Sequence, residues 1–262
     1  MFELKDFKNY DTSVSQILDD AGAASLFTNL DCILLKPNLV TASSFPVTTA
    51  PDFCVPVIEY IQACSDAKII LAEGCGDHAC ETPELFNLLG YDDLARTYGI
   101  ELMDLNTEPL TRKSLPRNPV FPEIFLPEIA FNSFIVSLPV LKAHSLAVIT
   151  GTLKNMMGFA PPEHYSGGGI WKKAAFHARM QDSIIDLCRY RTPDLTLMDA
   201  SVGLSDYHLG GPECNPPVNK LLISNDPFRA DQCAAELLNI PAETVPHIHQ
   251  SGPVSDSHGV PY

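Results

Sequence analysis

The sequence predicts an α/β protein: a mostly parallel sheet with helices on both faces, plus a proline-rich excursion. Two observations carry this. Short, nearly continuous apolar runs such as Asp31–Lys36, Lys68–Ala72, Phe134–Leu138, Leu195–Met198 and Leu221–Ser224 read as buried strands. Segments of helical periodicity separate most of them, the pattern that favours parallel pairing through crossovers. The 262 residues, 45% hydrophobic and 19% charged, suit one large unit with a sizeable core, and the whole chain 1–262 reads as a single α/β domain.

In chain order, a short helix is expected near Val14–Leu18, stopped by Gly22. The strand Asp31–Lys36 must end at Pro37, which leaves Lys36 and Asn38 at its tip. Ala42–Ala50 reads as a loop. Pro51 opens a helix to about Cys64, with Pro56 expected to kink it or delay its start. The strand Lys68–Ala72 runs into Glu73-Gly74-Cys75-Gly76, where two glycines permit close backbone approach to a ligand. Thr82 reads as the cap of a helix ending at Gly90, and a second helix, Asp92–Tyr98, ends at Gly99. Ile100–Leu105 suits a further strand. Asn106–Pro127, with five prolines, reads as edge-strand or loop material outside the main sheet.

Phe134–Gly158 is the focal stretch. A buried strand opens it, and Leu146, Ile149, Leu153 and Met157 recur at helical spacing. The reading is strand, polar loop, helix, with Lys142, His144, Lys154 and Asn155 around the junction and Gly151 between the pairs. Ala160–Gly169 reads as a mobile lid or an ordinary surface loop. Trp171–Tyr190 reads as one amphipathic helix, with His177 beside its apolar face. Leu195–Met198 is expected to end at Asp199, and Leu221–Ser224 to end at Asn225-Asp226-Pro227 before a helix from Phe228 to Leu238. The tail with His247, His249 and His258 shows little periodicity.

Strands of a parallel sheet share one carboxyl edge, and ligands bind outside it. Lys36, Asn38, Glu73, Lys142, His144, Asp199 and Asp226 would then meet, although scattered along the chain. Such a pocket holds both signs of charge. Its lysines suit a carboxylate or phosphate, and the helix start after Gly151 adds backbone donors. Glu73, Asp199 and Asp226 suit proton transfer or a metal. His144 is the natural acid/base, since imidazole titrates near neutrality.

Other classes find less support. A net charge of −15 disfavours nucleic acid and anionic membranes. No apolar run approaches a bilayer span, and the N-terminus lacks a secretory signal, so a cytoplasmic location is expected. The eight cysteines match no iron–sulfur spacing. Cys75, His78 and Cys80 form a C-x-x-H-x-C group without an evident fourth ligand. Neither a G-x-S-x-G elbow nor a G-x-x-x-x-G-K-[ST] phosphate loop occurs.

LLKPNLV (34–40), VSLPVLKAHSLAVITGTLKNMMG (136–158), DLTLMDA (194–200) and NDPFRADQCAAELLNI (225–240) together resemble the domain-of-unknown-function family 362. The resemblance runs from about residue 31 to 240. It implies a polar set of Lys36, Asn38, Glu73, Lys142, His144, Lys154, Asn155, His177, Asp199, Asp226 and Asp231. On this combined reading Lys142, His144, Lys154, Glu73 and Asp199 carry the chemistry. Lys36, Asn38, Gly151, Asn155, His177, Asp226 and Asp231 bind substrate. Many relatives look like fusions to a ferredoxin-type domain, whose cysteine runs this sequence lacks. At the level of fold the chain is also similar, more distantly, to the nickel-pincer lactate racemases, an analogy that assigns no residue role.

The function expected is an enzyme acting on a small anionic molecule by acid/base chemistry. The alternative is a cofactor- or metal-binding or redox accessory protein without catalysis of its own. Cofactor and metal remain unidentified by sequence. The expected partners are a small anionic ligand, neither nucleic acid nor membrane, with an oligomer and a redox partner left open.

Overall fold

The computed structural model describes residues 1–250. His258 therefore lies outside the described residues. In chain order the elements are β1 (Phe2–Asp6), α1 (Tyr10–Asp20), α2 (Ala24–Phe27), β2 (Cys32–Pro37), α3 (Pro51–Cys64), β3 (Lys68–Glu73), α4 (Thr82–Leu89), α5 (Tyr91–Tyr98) and β4 (Glu101–Asp104). There follow β5 (Leu110–Ser114), β6 (Glu123–Pro127), α6 (Ile129–Asn132), β7 (Phe134–Leu138), β8 (Val140–His144), β9 (Val148–Thr150), α7 (Thr152–Asn155) and α8 (Pro162–Tyr165). The last elements are α9 (Met180–Tyr190), β10 (Leu195–Leu204), β11 (Lys220–Ser224), α10 (Pro227–Leu237) and α11 (Pro246–Gln250). Short 3₁₀ turns cover Met156–Phe159 and Ala174–Arg179.

The main sheet runs β1-β11-β10-β7-β2-β3-β4, with β8 beside β10 and β9 beside β8. The pairs β10/β7, β7/β2, β2/β3, β3/β4 and β8/β10 are parallel. β11 runs antiparallel to both β1 and β10, and β9 antiparallel to β8. Of the proline-rich stretch, β5 and β6 form a separate antiparallel pair outside this sheet.

Alternation along the strands divides the core between two layers. Ile33 and Leu35 of β2, with Leu195 and Leu197 of β10, pack against α1, α3 and α4. Leu34, Ile70 and Ile135 face the other way, toward Leu153, Phe176, Ile184 and Leu187. A third cluster joins Leu141, Ile149, Met198 and Leu222 to α10 and α11.

The helix ends follow local rules. Asp226 caps α10, accepting from the amides of Phe228 and Arg229 at 3.0 and 3.1 Å, with Pro227 in the first turn. Gly90 and Gly99 close α4 and α5 at φ +87° and +65°. Pro56 neither delays nor divides α3, which begins at Pro51 and continues through it.

Three expectations change. Phe134–Gly158 is not strand, loop and helix. Past β7 the strand is interrupted at Pro139 but continues alongside β10 as β8, then turns back as β9, so Lys142 and His144 lie on β8. The β-branched and small residues of the Val140–Thr150 stretch are what a sheet edge accommodates. Asp199 does not end its strand but sits mid-way along β10, which continues to Leu204. The regular helix before Tyr190 begins only at Met180, because the preceding segment is drawn across the sheet edge by Lys172 and Lys173.

Candidate functional site

The carboxyl ends of β2 and β3 meet a pocket wall built by the β8–β9 turn, α7 and the following 3₁₀ turn. The cavity between them measures about 270 Å³, a size suited to a small molecule. Lys36, Asn38, Glu73, His144, Lys154, Asn155 and His177 line it, joined by Lys173, Trp171, Tyr207 and His208.

Its floor is a closed polar network. Lys36 is fully buried, and its ammonium donates to Glu73 Oε2 at 2.7 Å, the Pro37 carbonyl at 3.0 Å and Asn155 Oδ1 at 3.3 Å. Those bonds use all three of its protons. Glu73 also accepts from the backbone amides of Leu39 (3.0 Å) and Gly74 (2.8 Å). Asn155 donates to the Lys36 carbonyl and to Ser137 Oγ, both at 3.1 Å, and accepts from Asn38. Gly158 is required here: a side chain on it would run into Glu73 and Lys36.

Lys173 approaches from the segment before α9. Its buried ammonium donates to Asn106 Oδ1 at 3.0 Å and to the carbonyls of Gly158 and Ala160 at 3.2 and 2.5 Å. Burial pulls its pKa down to about 7. Beside it, Lys172 donates to the Cys80 carbonyl and to Glu81, each at 2.7 Å, tying the same segment to the loop after β3.

Lys154 differs from both. It is half-buried, reaches the cavity from the short α7, and makes neither a hydrogen bond nor an ion pair with any described residue. Burial and then the charge of Lys36 lower its pKa to about 8, against a pull from Glu73.

His144 is held by its own turn. Its Nδ1 accepts the amides of Leu146 and Ala147 at 3.0 and 3.1 Å. The neutral ring therefore carries its proton on Nε2. Burial, followed by the charge of Lys154, drives its pKa far below the usual histidine range. The turn closes through Val148 at φ +70°, a conformation that costs a β-branched residue about 1–3 kcal/mol. His208 stacks on His144 with ring centroids 3.8 Å apart, and its buried Nδ1 has no partner among the described residues. Burial lowers its pKa to about 3, so it too is neutral at physiological pH.

Five expected site residues lie elsewhere. Lys142 sits behind the cavity wall, donating to Asn38 Oδ1 and to the Val47 carbonyl at 2.5 Å, so it orients Asn38 from the rear. Burial and then Lys154 lower its pKa to about 7. Asp199 faces the opposite layer, where Tyr10 donates to it at 2.6 Å and the Ser201 amide at 2.8 Å. Burial raises its pKa. Asp226 ends an antiparallel strand, so it emerges at the other edge of the sheet and serves as the cap of α10. Asp231 is buried beneath α7, accepting from Thr152 and Leu153 amides at 2.6 and 3.1 Å. Gly151 allows that approach, because a side chain there would meet the Asp231 carboxylate.

Residues missed from sequence carried weak signals. Lys173 lies in the Trp171–Tyr190 stretch that reads as one helix, and Tyr207 and His208 in a Pro- and Gly-rich stretch. Cys75 turns its thiol toward the Cys80 carbonyl at 3.1 Å, while His78 is exposed beside Trp171. Among the described residues no group of three or more His, Cys, Asp or Glu side chains is placed to hold a metal ion.

Fold and site define an α/β protein whose mostly parallel sheet carries a lysine- and histidine-lined cavity at its carboxyl edge. A family model described as domain of unknown function (DUF362) matches residues 33–236, and the chain belongs to that family. Among solved structures it is similar to the lactate racemase apoprotein from Thermoanaerobacterium thermosaccharolyticum, at 14% identity and a TM-score of 0.54. That similarity covers 89% of this chain and 56% of the other, so the chain spans just over half the neighbour's length. At this identity the likeness is one of fold. No curated protein gives a significant sequence match. No helix among the described residues is long and apolar enough to cross a membrane.

Proposed function

We propose that the chain is an enzyme that binds a small anionic molecule, a carboxylate or phosphate, in this cavity and moves a proton on it. The observation that carries the reading is the state of Lys154. It is a cavity-lining cation whose ammonium has no partner among the described residues, and the one carboxylate those residues place on the cavity wall, Glu73, is already committed to Lys36 and two backbone amides. An incoming anion supplies the missing partner. Lys36 is already paired with Glu73, and Lys36 and Lys173 have no proton left to offer it.

The residues divide the work. Lys154 is the acid/base: it titrates near 8, and unlike Lys173, which titrates near 7, it has no protein acceptor among the described residues holding its protons. His144 is not the base expected from its ordinary pKa: Nδ1 is occupied by two amides, which leaves Nε2–H as a neutral donor to an oxygen that gains charge. Asn38 and Asn155 hold the floor, and Leu39, Val40, Leu146, Met157 and Leu209 give the ligand an apolar wall.

A thermal-shift screen of small carboxylates and phosphates tests the reading. Ligands that raise the melting temperature of the wild type should fail to do so for Lys154→Met. An identical response of the two proteins would refute it.

A further inference from the structure

We propose that the substrate is a carboxylate bearing an aldehyde or ketone, a 2-oxo acid or close analogue, and that Lys154 binds its carbonyl carbon covalently as an imine. The inference rests on the anion reading of the cavity and names the substrate class for it.

The lysines of the site divide by what their ammonium groups are bonded to. An ammonium whose three protons are all bonded serves as fixed charge and cannot readily become a nucleophile. Lys36 and Lys173 are in that condition, each with three acceptors. Lys142 is spent on Asn38 and Val47 outside the cavity. Lys154 alone among the four is free of hydrogen bonds to the described residues and faces the cavity. A site that only bound an anion would gain from fixing this ammonium with a neighbouring acceptor. Here burial first and then the charge of Lys36 disfavour the ammonium, against a smaller pull from Glu73, and a desolvated amine beside a like charge is how a lysine becomes a nucleophile.

The surroundings suit a carbonyl. The Nε2–H of His144 is a fixed donor for the carbonyl oxygen, since the two amides on Nδ1 settle the tautomer. Leu39, Val40, Leu146, Met157 and Leu209 give the carbon skeleton of the substrate an apolar surface to rest on.

The step balances without an oxidant or a second reactant. The unprotonated Lys154 amine attacks the carbonyl carbon, forming C–N, and the carbonyl electron pair moves to oxygen beside His144 Nε2–H. A proton passes from nitrogen to that oxygen, giving a neutral carbinolamine. One further proton, equal to the one the ammonium gave up before attack, lets the oxygen leave as water. The sum is ammonium plus carbonyl giving iminium plus water. The iminium then draws electrons from the adjacent carbon, which eases loss of a proton or of carbon dioxide there.

The test is reductive trapping. Wild-type protein is incubated with pyruvate, and separately with 2-oxoglutarate, in sodium cyanoborohydride, then examined by intact mass and peptide mapping. One adduct per chain on Lys154 is expected, forming at a rate that rises through about pH 8, well below the range of a surface lysine. Lys154→Arg keeps the charge but removes the nucleophile. It should form no fast adduct yet still be stabilised by pyruvate in a melting experiment. Adducts spread over many lysines, or on Lys36, Lys142 or Lys173 instead, would overturn the assignment. If pyruvate stabilised the wild type without forming an adduct, the imine would fall and the anion site would stand. With neither stabilisation nor adduct, both would fall. Mapping on the wild type decides the matter even if the arginine variant misfolds.

Discussion

The two halves of the main sheet treat the same kind of residue in opposite ways. In the parallel half, β2 and β3 deliver Lys36, Asn38 and Glu73 to one edge, where they meet the β8–β9 turn and α7. In the half completed by β11 and β1, acidic residues within β10, after β11 and within α10 become internal fittings. Asp226 caps a helix, Asp199 accepts from Tyr10, and Asp231 receives two amides of α7. Strand direction accounts for Asp226: β11 runs antiparallel to β10, so its end lies at the other edge of the sheet. Side-chain alternation accounts for Asp199, which shares the face of Leu195 and Leu197. A polar residue near a strand end is therefore evidence of a site only when the direction of its strand is known.

The contrast can be broken at several points. The largest effect should come from Glu73→Ala, which strands the buried Lys36 ammonium. Losing one partner of a buried pair costs about 3–5 kcal/mol, so urea denaturation should show a protein near the limit of folding. Next is Asp231→Ala, in the structural half. It leaves the amides of Thr152 and Leu153 without their acceptor and should cost about 1–3 kcal/mol in the same experiment.

A smaller effect depends on pH. Lys154 has a native pKa near 8, below its value of 10.5 in an unfolded chain. Between those values the unfolded state binds more protons, so this group makes stability rise with pH from about 8 to 10.5. Lys154→Met should raise the melting temperature at pH 7 and flatten that rise. Asp231 has the opposite sign. Burial raises its carboxyl to about 7, so the native state holds the extra proton, and its contribution declines as pH climbs from about 4 to 7. Asp231→Asn should remove that slope.

The smallest effect is expected from Asp226→Ala. Losing a cap costs about 1 kcal/mol and should leave ligand-induced stabilisation unchanged. A loss of ligand response in that variant would contradict its placement on the far edge.

Much of the architecture was legible because its signals are local. Asp31–Lys36 and Lys68–Ala72 read as strands from their apolar runs, and Pro51 and Gly90 marked helix ends. Seven of the expected polar residues, Lys36, Asn38, Glu73, His144, Lys154, Asn155 and His177, do share one cavity. What sequence could not give was non-local. The β8–β9 pair hid within an apolar spacing that also fits a helix: of Leu146, Ile149, Leu153 and Met157, Leu146 lies in the turn, Ile149 on β9, Leu153 on α7 and Met157 on the 3₁₀ turn. Lys173 enters the site only because its ammonium finds the Gly158 and Ala160 carbonyls on a distant turn. The role of His144 changed for a similar reason. Its ordinary pKa suggests a base, but the amides of Leu146 and Ala147 fix it as a neutral donor.

The most direct test of the central claim is calorimetric titration of the wild type, Lys154→Met and Asp226→Ala at pH 7 with small carboxylates and inorganic phosphate. The account predicts that at least one of these anions binds the wild type and Asp226→Ala alike, with binding abolished in Lys154→Met. Equal binding by all three proteins, or none by the wild type, would contradict it.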